Sequence, residues 1–171
     1  MKPVCLVLGA GAGIGGTVAT KFAQEGYHSS LCRRSDKEGL DRLVKNIEDQ
    51  GGSANGYIMN AIEDNAIEEV ITSIESDIGP IEVLVYNLGA QTGMKLLDQT
   101  SHKEFEWGWR MASFGLFRAA KVLCPLMVKR KKGTFLVTSA TAAMRGNMNQ
   151  HSHAAAMGCL LYTSPSPRDR G

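Results

Sequence analysis

A glycine-rich turn, placed between a short apolar run and a helix-like pattern, constrains this chain more than any other feature. Val4–Leu8 suit a buried strand, and apolar side chains at Ile14, Val18 and Phe22 follow the turn at helical spacing. Glycine lets a backbone turn tightly and approach a ligand closely. The N-terminus of a helix attracts phosphate because its unpaired N–H groups and its dipole point there. The stretch therefore predicts a strand, a turn and a helix that together hold a phosphate group.

The glycines of this turn fit two spacings. Gly9, Gly13 and Gly15 form G-x-x-x-G-x-G. Gly11, Gly13 and Gly16 form G-x-G-x-x-G. We favour the first spacing because Gly9 directly follows the strand, where the tight turn has to begin. The alternative is a flexible loop that binds nothing. The residues expected to contact a dinucleotide are Gly9, Gly11, Gly13, Ile14 and Gly15.

Strand-like and helix-like segments alternate along the rest of the chain. Further strands are predicted at residues 27–32, 54–59, 81–86 and 134–138, and further helices around residues 40–47, 67–78 and 103–129. Short connections between such elements imply right-handed crossovers in a parallel sheet. The fold class is therefore α/β: a Rossmann-like, doubly wound parallel sheet in a three-layer αβα arrangement. The helix at 103–129 is apolar around much of its circumference, so we expect it to be deeply buried or shared with a partner subunit.

Composition narrows the function classes. The chain has 171 residues, 43% of them apolar, and a formal charge of +2, which suits one domain and gives no electrostatic reason to bind nucleic acid. A basic run at residues 129–132 reads either as a nucleic-acid patch or, as we prefer, as the cationic end of a helix. No apolar run reaches the ~20 residues of a membrane span. The four cysteines lack C-x-x-C spacing, so we expect reduced, buried thiols in a cytoplasmic protein.

The residues after the second strand bear on cofactor choice. In a dinucleotide-binding unit, an acidic residue there accepts from the ribose 2′-OH of NAD, whereas arginine suits the 2′-phosphate of NADP. Arg33 and Arg34 hold this place, and no carboxylate occurs before Asp36. This favours NADP(H) over NAD(H). The alternative is that the two arginines only begin a solvated helix.

With these features the chain resembles the short-chain dehydrogenase/reductase family over residues 4–158. The Gly9, Gly13 and Gly15 spacing fits, and Tyr86-Asn87-Leu88-Gly89 is similar to the family's Asn-Asn-Ala-Gly signature. Ser139 lies after the fifth strand, where the resemblance places the catalytic serine, with Ala140 and Thr141 as neighbouring alternatives. The resemblance implies hydride transfer between nicotinamide and a small carbonyl or alcohol. It also implies cofactor contacts at Asn87 and Gly89, and a homo-oligomer formed by the full-length protein through its fourth and fifth helices.

The chain departs from the family's catalytic pattern. Ala112 stands where the family has an asparagine, His153 where it has the proton-donating tyrosine, and Met157 where it has a lysine. Imidazole titrates near neutrality, so His153 is a candidate proton donor; the alternative is a helix-surface histidine. A metal pair of His151 and His153 is disfavoured because residues two apart do not share a helix face, and no metal is expected. The rival functions are a non-catalytic NADP(H)-binding module and a Rossmann-like domain that binds no nucleotide.

The C-terminal segment differs in character from the rest. Residues 159–169 show no helical continuation, contain Ser-Pro-Ser-Pro, and resemble the translation of a transposase adapter used in DNA sequencing. We therefore expect an incomplete NAD(P)-binding domain at residues 1–158 and a non-native tail at 159–171. C-terminal truncation of the sheet would leave apolar surface on the fourth and fifth helices exposed.

Overall fold

The computed structural model describes residues 2–89 and 94–163. The strands are β1 (Val4–Leu8), β2 (His28–Arg33), β3 (Ser53–Ile58), β4 (Ile81–Tyr86) and β5 (Thr134–Val137). The helices are α1 (Ile14–Gln24), α2 (Lys37–Asp49), α3 (Ala66–Asp77), α4 (His102–Trp109), α5 (Gly115–Arg130) and α6 (His151–Thr163). A π-helical turn at Arg110–Phe114 joins α4 to α5. The chain divides into two compact units, the first Met1–Asn87 with Arg118–Thr138 and the second Leu88–Phe117 with Ser139–Gly171.

The first unit is a five-stranded sheet in the order β3-β2-β1-β4-β5, and every pair is parallel. β1 lies at the centre and all five of its residues are buried, which is why its sequence is an unbroken apolar run. The strand order reverses between β1 and β4. In sheets of this kind ligands bind at the carboxyl ends of the strands at such a reversal. The predicted Rossmann-like α/β fold is confirmed.

Helices cover the sheet because each has one apolar stripe to bury. On one face, Cys5 and Val7 of β1 share a buried cluster with residues of α1 and α2, among them Ala19, Ala23, Leu40 and Ile47. Leu6 and Leu8 alternate with those strand residues, so they face the other side of the sheet. The fully buried isoleucines of α3 and Leu123 of α5 supply further core.

Ion pairs join α3 to α5 in this unit. Arg118 forms a two-pronged contact with Glu68 and also donates to the Ala61 carbonyl at 3.0 Å. Near the other end of α5, Arg130 lies 2.5 Å from Glu75, and Lys132 beyond it lies 2.9 Å from Glu82. Two cations of the basic run at 129–132 are therefore paired within the fold, and the run ends α5 as the preferred interpretation predicts.

The second unit is built on the packing of α6 against α4. Ser101 and Glu104 cap the start of α4 with reciprocal hydrogen bonds, and Glu104 also pairs with Lys95. The Ser152 hydroxyl donates to the Glu104 carbonyl at 3.0 Å. A Cβ on Gly108 would collide with that hydroxyl, so glycine at this position allows the two helices to approach.

Two predictions about helices need correction. The segment predicted as one helix at 103–129 contains the π-helical turn. Trp107, Trp109 and Phe117 on it are 38%, 42% and 59% exposed, so these side chains are not deeply buried, and the other alternative, contact with a partner subunit, stays a prediction. The helical pattern was expected to stop at Gly158, but α6 continues to Thr163 and Leu160 is buried. Residues 159–163 contain no helix breaker; the Ser-Pro repeat begins only at 164, outside the described residues. The domain boundary at 158 stays a prediction.

One helical stretch has the length of a membrane span. His102–Arg130 runs for 29 residues and is long and apolar enough to cross a bilayer by length and composition alone. Its most apolar window is 44% buried inside the protein, and core helices pass the same test. The stretch is therefore weak evidence for a membrane location.

Candidate functional site

The turn after β1 is held in place by the ends of two neighbouring strands. Gly9 has φ +94°, a conformation that favours glycine. The Gly9 and Ala10 N–H groups both donate to the Cys32 carbonyl, at 3.1 and 2.9 Å. From the end of β4, the Asn87 side-chain amide donates to the Gly9 carbonyl at 3.0 Å. Asn87, predicted as a cofactor contact, thus has a structural role in fixing the turn.

The glycines of the turn fall into two classes. A Cβ on Gly15 would collide with the Gly9 carbonyl oxygen, so α1 packs against the turn only because position 15 lacks a side chain. A Cβ on Gly16 would sit 2.5 Å from the Gly11 carbonyl oxygen, an equally impossible approach. A Cβ on Gly11 or Gly13 would meet nothing within 4 Å. These two glycines therefore border open space at the start of α1.

The backbone at the start of α1 supplies donors to that space. The first N–H groups with a backbone partner there are those of Gly16, bonded to Gly11, and Thr17, bonded to Gly13. Within the described residues, the N–H groups of Ala12, Gly13, Ile14 and Gly15 donate to no backbone carbonyl. Together with the helix dipole they form an anion cradle. A pyrophosphate fits a cradle whose N–H groups have no backbone partner in the described ranges and whose glycines leave space free of side chains.

The predicted 2′-phosphate ligands lie at the end of β2. Arg33 forms an ion pair with Asp36, with 2.7 Å between Arg33 Nη1 and Asp36 Oδ2. Arg34 is exposed and has no ion pair with any residue in the described parts of the chain. A cavity of about 380 Å³ in the first unit has Arg33, but not Arg34, in its lining. Its polar lining consists of Thr17, Thr20, Arg33, Asp36, Arg42 and Asn46.

Asp36 lines the cavity and contacts Arg33, although no role for it is predicted from the sequence. It caps α2 by accepting from the Gly39 N–H at 3.0 Å. Because Arg33 ends β2 and α2 begins only at Lys37, the arginines do not themselves begin a helix, contrary to the alternative interpretation. The spacing Asp36-x-x-Gly39 ahead of an apolar stripe is an N-cap signal that was available in the sequence. The ion pair with Arg33 needs the folded backbone to be seen.

The predicted catalytic residues belong to the second unit. Ser139 is exposed and follows β5, as predicted. His153 on α6 is only 9% exposed, so the alternative of a helix-surface histidine is wrong. Its Nδ1 is buried without a hydrogen-bond partner among the described residues, and so is Nε2 of His151. An orphaned ring nitrogen at His153 is the kind of group that functional sites retain.

The positions where the sequence predicts a departure from the family pattern are packed rather than vacant. Met157 is 3% exposed, and a Cβ on Gly89 would lie 2.7 Å from its methyl carbon. Ala112 is fully buried in the π-helical turn, and its neighbour Ser113 donates to the Ala156 carbonyl at 2.9 Å. π-Helical turns often occur at functional sites. No pattern in the sequence predicts this turn or the Ser113 contact.

Other reactive groups in the described residues are unsuited to chemistry. Burial raises the pKa of the Cys5 thiol to about 12, and burial raises that of Cys32 as well. Burial also raises the pKa of the Tyr86 phenol, so this side chain is packed in the core in its neutral form. Cys124 is exposed, which corrects the expectation that all the thiols are buried. No cluster of three His, Cys, Asp or Glu suited to a metal occurs in the part of the chain that the structure describes.

Comparison with known proteins finds reductases and dehydrogenases among the relatives of this chain. The 3-oxoacyl-[acyl-carrier-protein] reductase FabG of Thermotoga maritima is 32% identical over 152 residues, covering 89% of this chain and 61% of that protein. The 2,3-dihydro-2,3-dihydroxybenzoate dehydrogenase of Bacillus subtilis is 28% identical, covering 82% of this chain and 53% of that protein. The chain thus spans less than two thirds of the length of either relative.

Solved structures share the fold. NAD⁺-bound xylitol dehydrogenase superimposes with a TM-score of 0.86 at 24% identity, covering 94% of this chain and 61% of that one. A variant actinorhodin polyketide ketoreductase with NADPH gives a TM-score of 0.87 at 24% identity, covering 94% and 62%. A sequence model described as short chain dehydrogenase matches residues 3–160. Because that match takes in nearly the whole chain, this protein belongs to the short-chain dehydrogenase family.

Proposed function

We propose that this chain binds a nicotinamide dinucleotide at the turn after β1, with NADP(H) preferred over NAD(H). The anion cradle at the start of α1 carries the proposal, because open space at Gly11 and Gly13 meets N–H groups that have no backbone partner among the described residues. Arg33 and Arg34 at the end of β2 support the preference for a 2′-phosphate. One of the similar structures holds NADPH and another holds NAD⁺, so the preference depends on this chain's own side chains.

We expect an Arg33→Asp, Arg34→Ala double variant to separate the two cofactors. Removing both guanidinium groups should lower the affinity for NADPH by more than about tenfold. The affinity for NADH, which lacks the 2′-phosphate, should change by less than about threefold. Calorimetric titration of each nucleotide measures this. Lys45→Asp is the matched control, since it reverses an exposed charge on α2 outside the cavity lining. Equal losses for NADPH and NADH would refute the 2′-phosphate assignment.

We further propose that the protein acts as an oxidoreductase on a small carbonyl or alcohol and assembles as a homo-oligomer. A bound nicotinamide dinucleotide supplies or accepts the hydride in such a reaction. His153 is the proposed proton donor to the carbonyl oxygen, supported by its buried, unpartnered Nδ1. Ser139 is the proposed group that polarises the carbonyl. The exposed aromatic side chains of α4 and α5 support assembly with a second copy.

Turnover is tested by following NADPH absorbance with a panel of ketones. We expect substrate-dependent loss of absorbance that falls at least about tenfold in His153→Ala. His102→Ala, an exposed histidine on α4, is the control and should keep the full rate. A His153→Ala rate equal to the unaltered rate would remove His153 from the chemistry.

The second candidate is a non-catalytic NADP(H)-binding module. Met157 favours it, because its buried side chain occupies the place where the family has a lysine and cannot bind a ribose hydroxyl. Tight NADPH binding without turnover of any ketone would support this candidate. Clear ketone reduction would exclude it.

A further inference from the structure

The Arg33–Asp36 ion pair is held by the first turn of α2. Asp36 Oδ2 accepts from Arg33 Nη1 at 2.7 Å, and Oδ1 accepts from the Gly39 N–H at 3.0 Å. Both carboxylate oxygens are therefore engaged. Asp36 has φ +60°, a left-handed conformation that aspartate and asparagine tolerate better than most residues. The backbone thus fixes the carboxylate beside the guanidinium.

Gly39 makes room for this ion pair. A Cβ at position 39 would collide with Arg33 Nη1 and with Asp36 Oδ2. The pair therefore lies directly over the first turn of α2, where a side chain would otherwise stand. Arg33 is held so closely that its side chain is only 15% exposed.

The same groups set the charge of the cavity beside the phosphate cradle. The lining of the 380 Å³ cavity includes two guanidinium groups, from Arg33 and Arg42, and one carboxylate, from Asp36. The carboxylate of Glu38 lies 4.0 Å from Arg42, and both side chains are largely exposed, so it neutralises Arg42 little. Asp36 is thus the charge that most reduces the attraction of the cavity for an anion.

We infer that Asp36 is a specificity-determining residue, whose carboxylate competes with an incoming 2′-phosphate for Arg33 and so restrains the preference for NADPH over NADH. The inference rests on the proposed function, dinucleotide binding at the turn after β1. A 2′-phosphate either displaces the Asp36 carboxylate from Arg33 or lies near the negative charge of that carboxylate. Either arrangement costs free energy. A 2′-hydroxyl carries no charge and meets neither cost. The effect of Asp36 therefore falls on NADPH and spares NADH.

Asp36→Asn isolates the charge because asparagine also caps helices and tolerates positive φ. We expect the ratio of the NADH to the NADPH dissociation constant, measured by calorimetry at low salt, to rise about tenfold. Asp41→Asn is the matched control: it removes the same charge from α2, at a residue paired with Lys37 outside the cavity, and should change the ratio by less than about twofold. Thermal unfolding of each variant without nucleotide verifies the fold.

A double-mutant cycle shows whether Asp36 acts through Arg33. In an Arg33→Gln background, Asp36→Asn should shift the ratio much less, because the competed-for guanidinium is gone and only direct repulsion between the carboxylate and the phosphate remains. An unchanged ratio in Asp36→Asn, or an equal shift with and without Arg33, overturns the inference while leaving dinucleotide binding intact. Failure of the unaltered chain to bind either nucleotide overturns the proposed function, and the inference with it.

Discussion

Gly15→Ala should damage both the fold and nucleotide binding. The new Cβ would collide with the Gly9 carbonyl oxygen and lie 2.9 Å from the Asn87 side-chain nitrogen. A backbone carbonyl held between two strand ends cannot move as a flexible side chain can, so the turn and the start of α1 have to separate. We expect a loss of about 2–3 kcal/mol in the free energy of unfolding, measured by urea denaturation. NADPH affinity should fall more than about tenfold because the cradle is displaced.

Gly11→Ala provides the control for stability. A Cβ at position 11 meets nothing within 4 Å, so the free energy of unfolding should change by less than about 0.5 kcal/mol. Equal stability of the Gly15 and Gly11 variants would show that the close packing of α1 on the turn is not what requires glycine at position 15.

Arg118→Met should cause the second large loss of stability. Arg118 is 7% exposed, and its guanidinium bonds to both Glu68 oxygens and to the Ala61 carbonyl. Methionine fills similar space but leaves the Glu68 carboxylate and the Ala61 carbonyl without this donor. We expect a loss of about 2–3 kcal/mol at neutral pH by urea denaturation. Lys37→Met removes an exposed partner of Asp41 and should cost less than about 0.5 kcal/mol.

The Arg118 pair should also show a defined pH dependence. The Arg118 guanidinium holds the pKa of the Glu68 carboxyl below its ordinary range. A carboxyl whose folded pKa is lowered stabilises the fold above its ordinary value of about 4.3, and this stabilisation is lost as pH falls through the lower folded value. The stability gap between the unaltered chain and Arg118→Met should therefore narrow in acid below about pH 4. A gap that is constant with pH would mean that packing, rather than the ion pair, accounts for the loss.

Much of the first unit was predictable from sequence because its signals are local. β1 and β4 have the predicted bounds, since each is a largely apolar segment that is followed directly by a glycine or a polar residue. The π-helical turn at Arg110–Phe114 was not predictable from local pattern. Its Ser113 hydroxyl donates to the Ala156 carbonyl of α6, which lies 43 residues further along the chain. The continuation of α6 to Thr163 differs from the sequence prediction, because a change in composition without a proline or glycine does not end a helix.

The candidate site shows the same division. The glycine turn could be located from sequence because tight turns and close approaches leave few residue choices. The coupling of Arg33 to Asp36 could not be foreseen, since it depends on where the first turn of α2 lies relative to the end of β2. The burial of His153 likewise depends on the packing of α6 in the second unit. The sequence pattern predicts that such a residue lies on a helix, but it does not predict which residues surround its side chain.

The most direct measurement is a calorimetric titration of NADPH, with NADH in parallel, into the unaltered chain. Saturable binding at one site per chain, with a dissociation constant below about 1 mM and tighter for NADPH, is the predicted result. Failure of both nucleotides to bind saturably at millimolar concentration would contradict the assignment of the turn after β1 as a dinucleotide site.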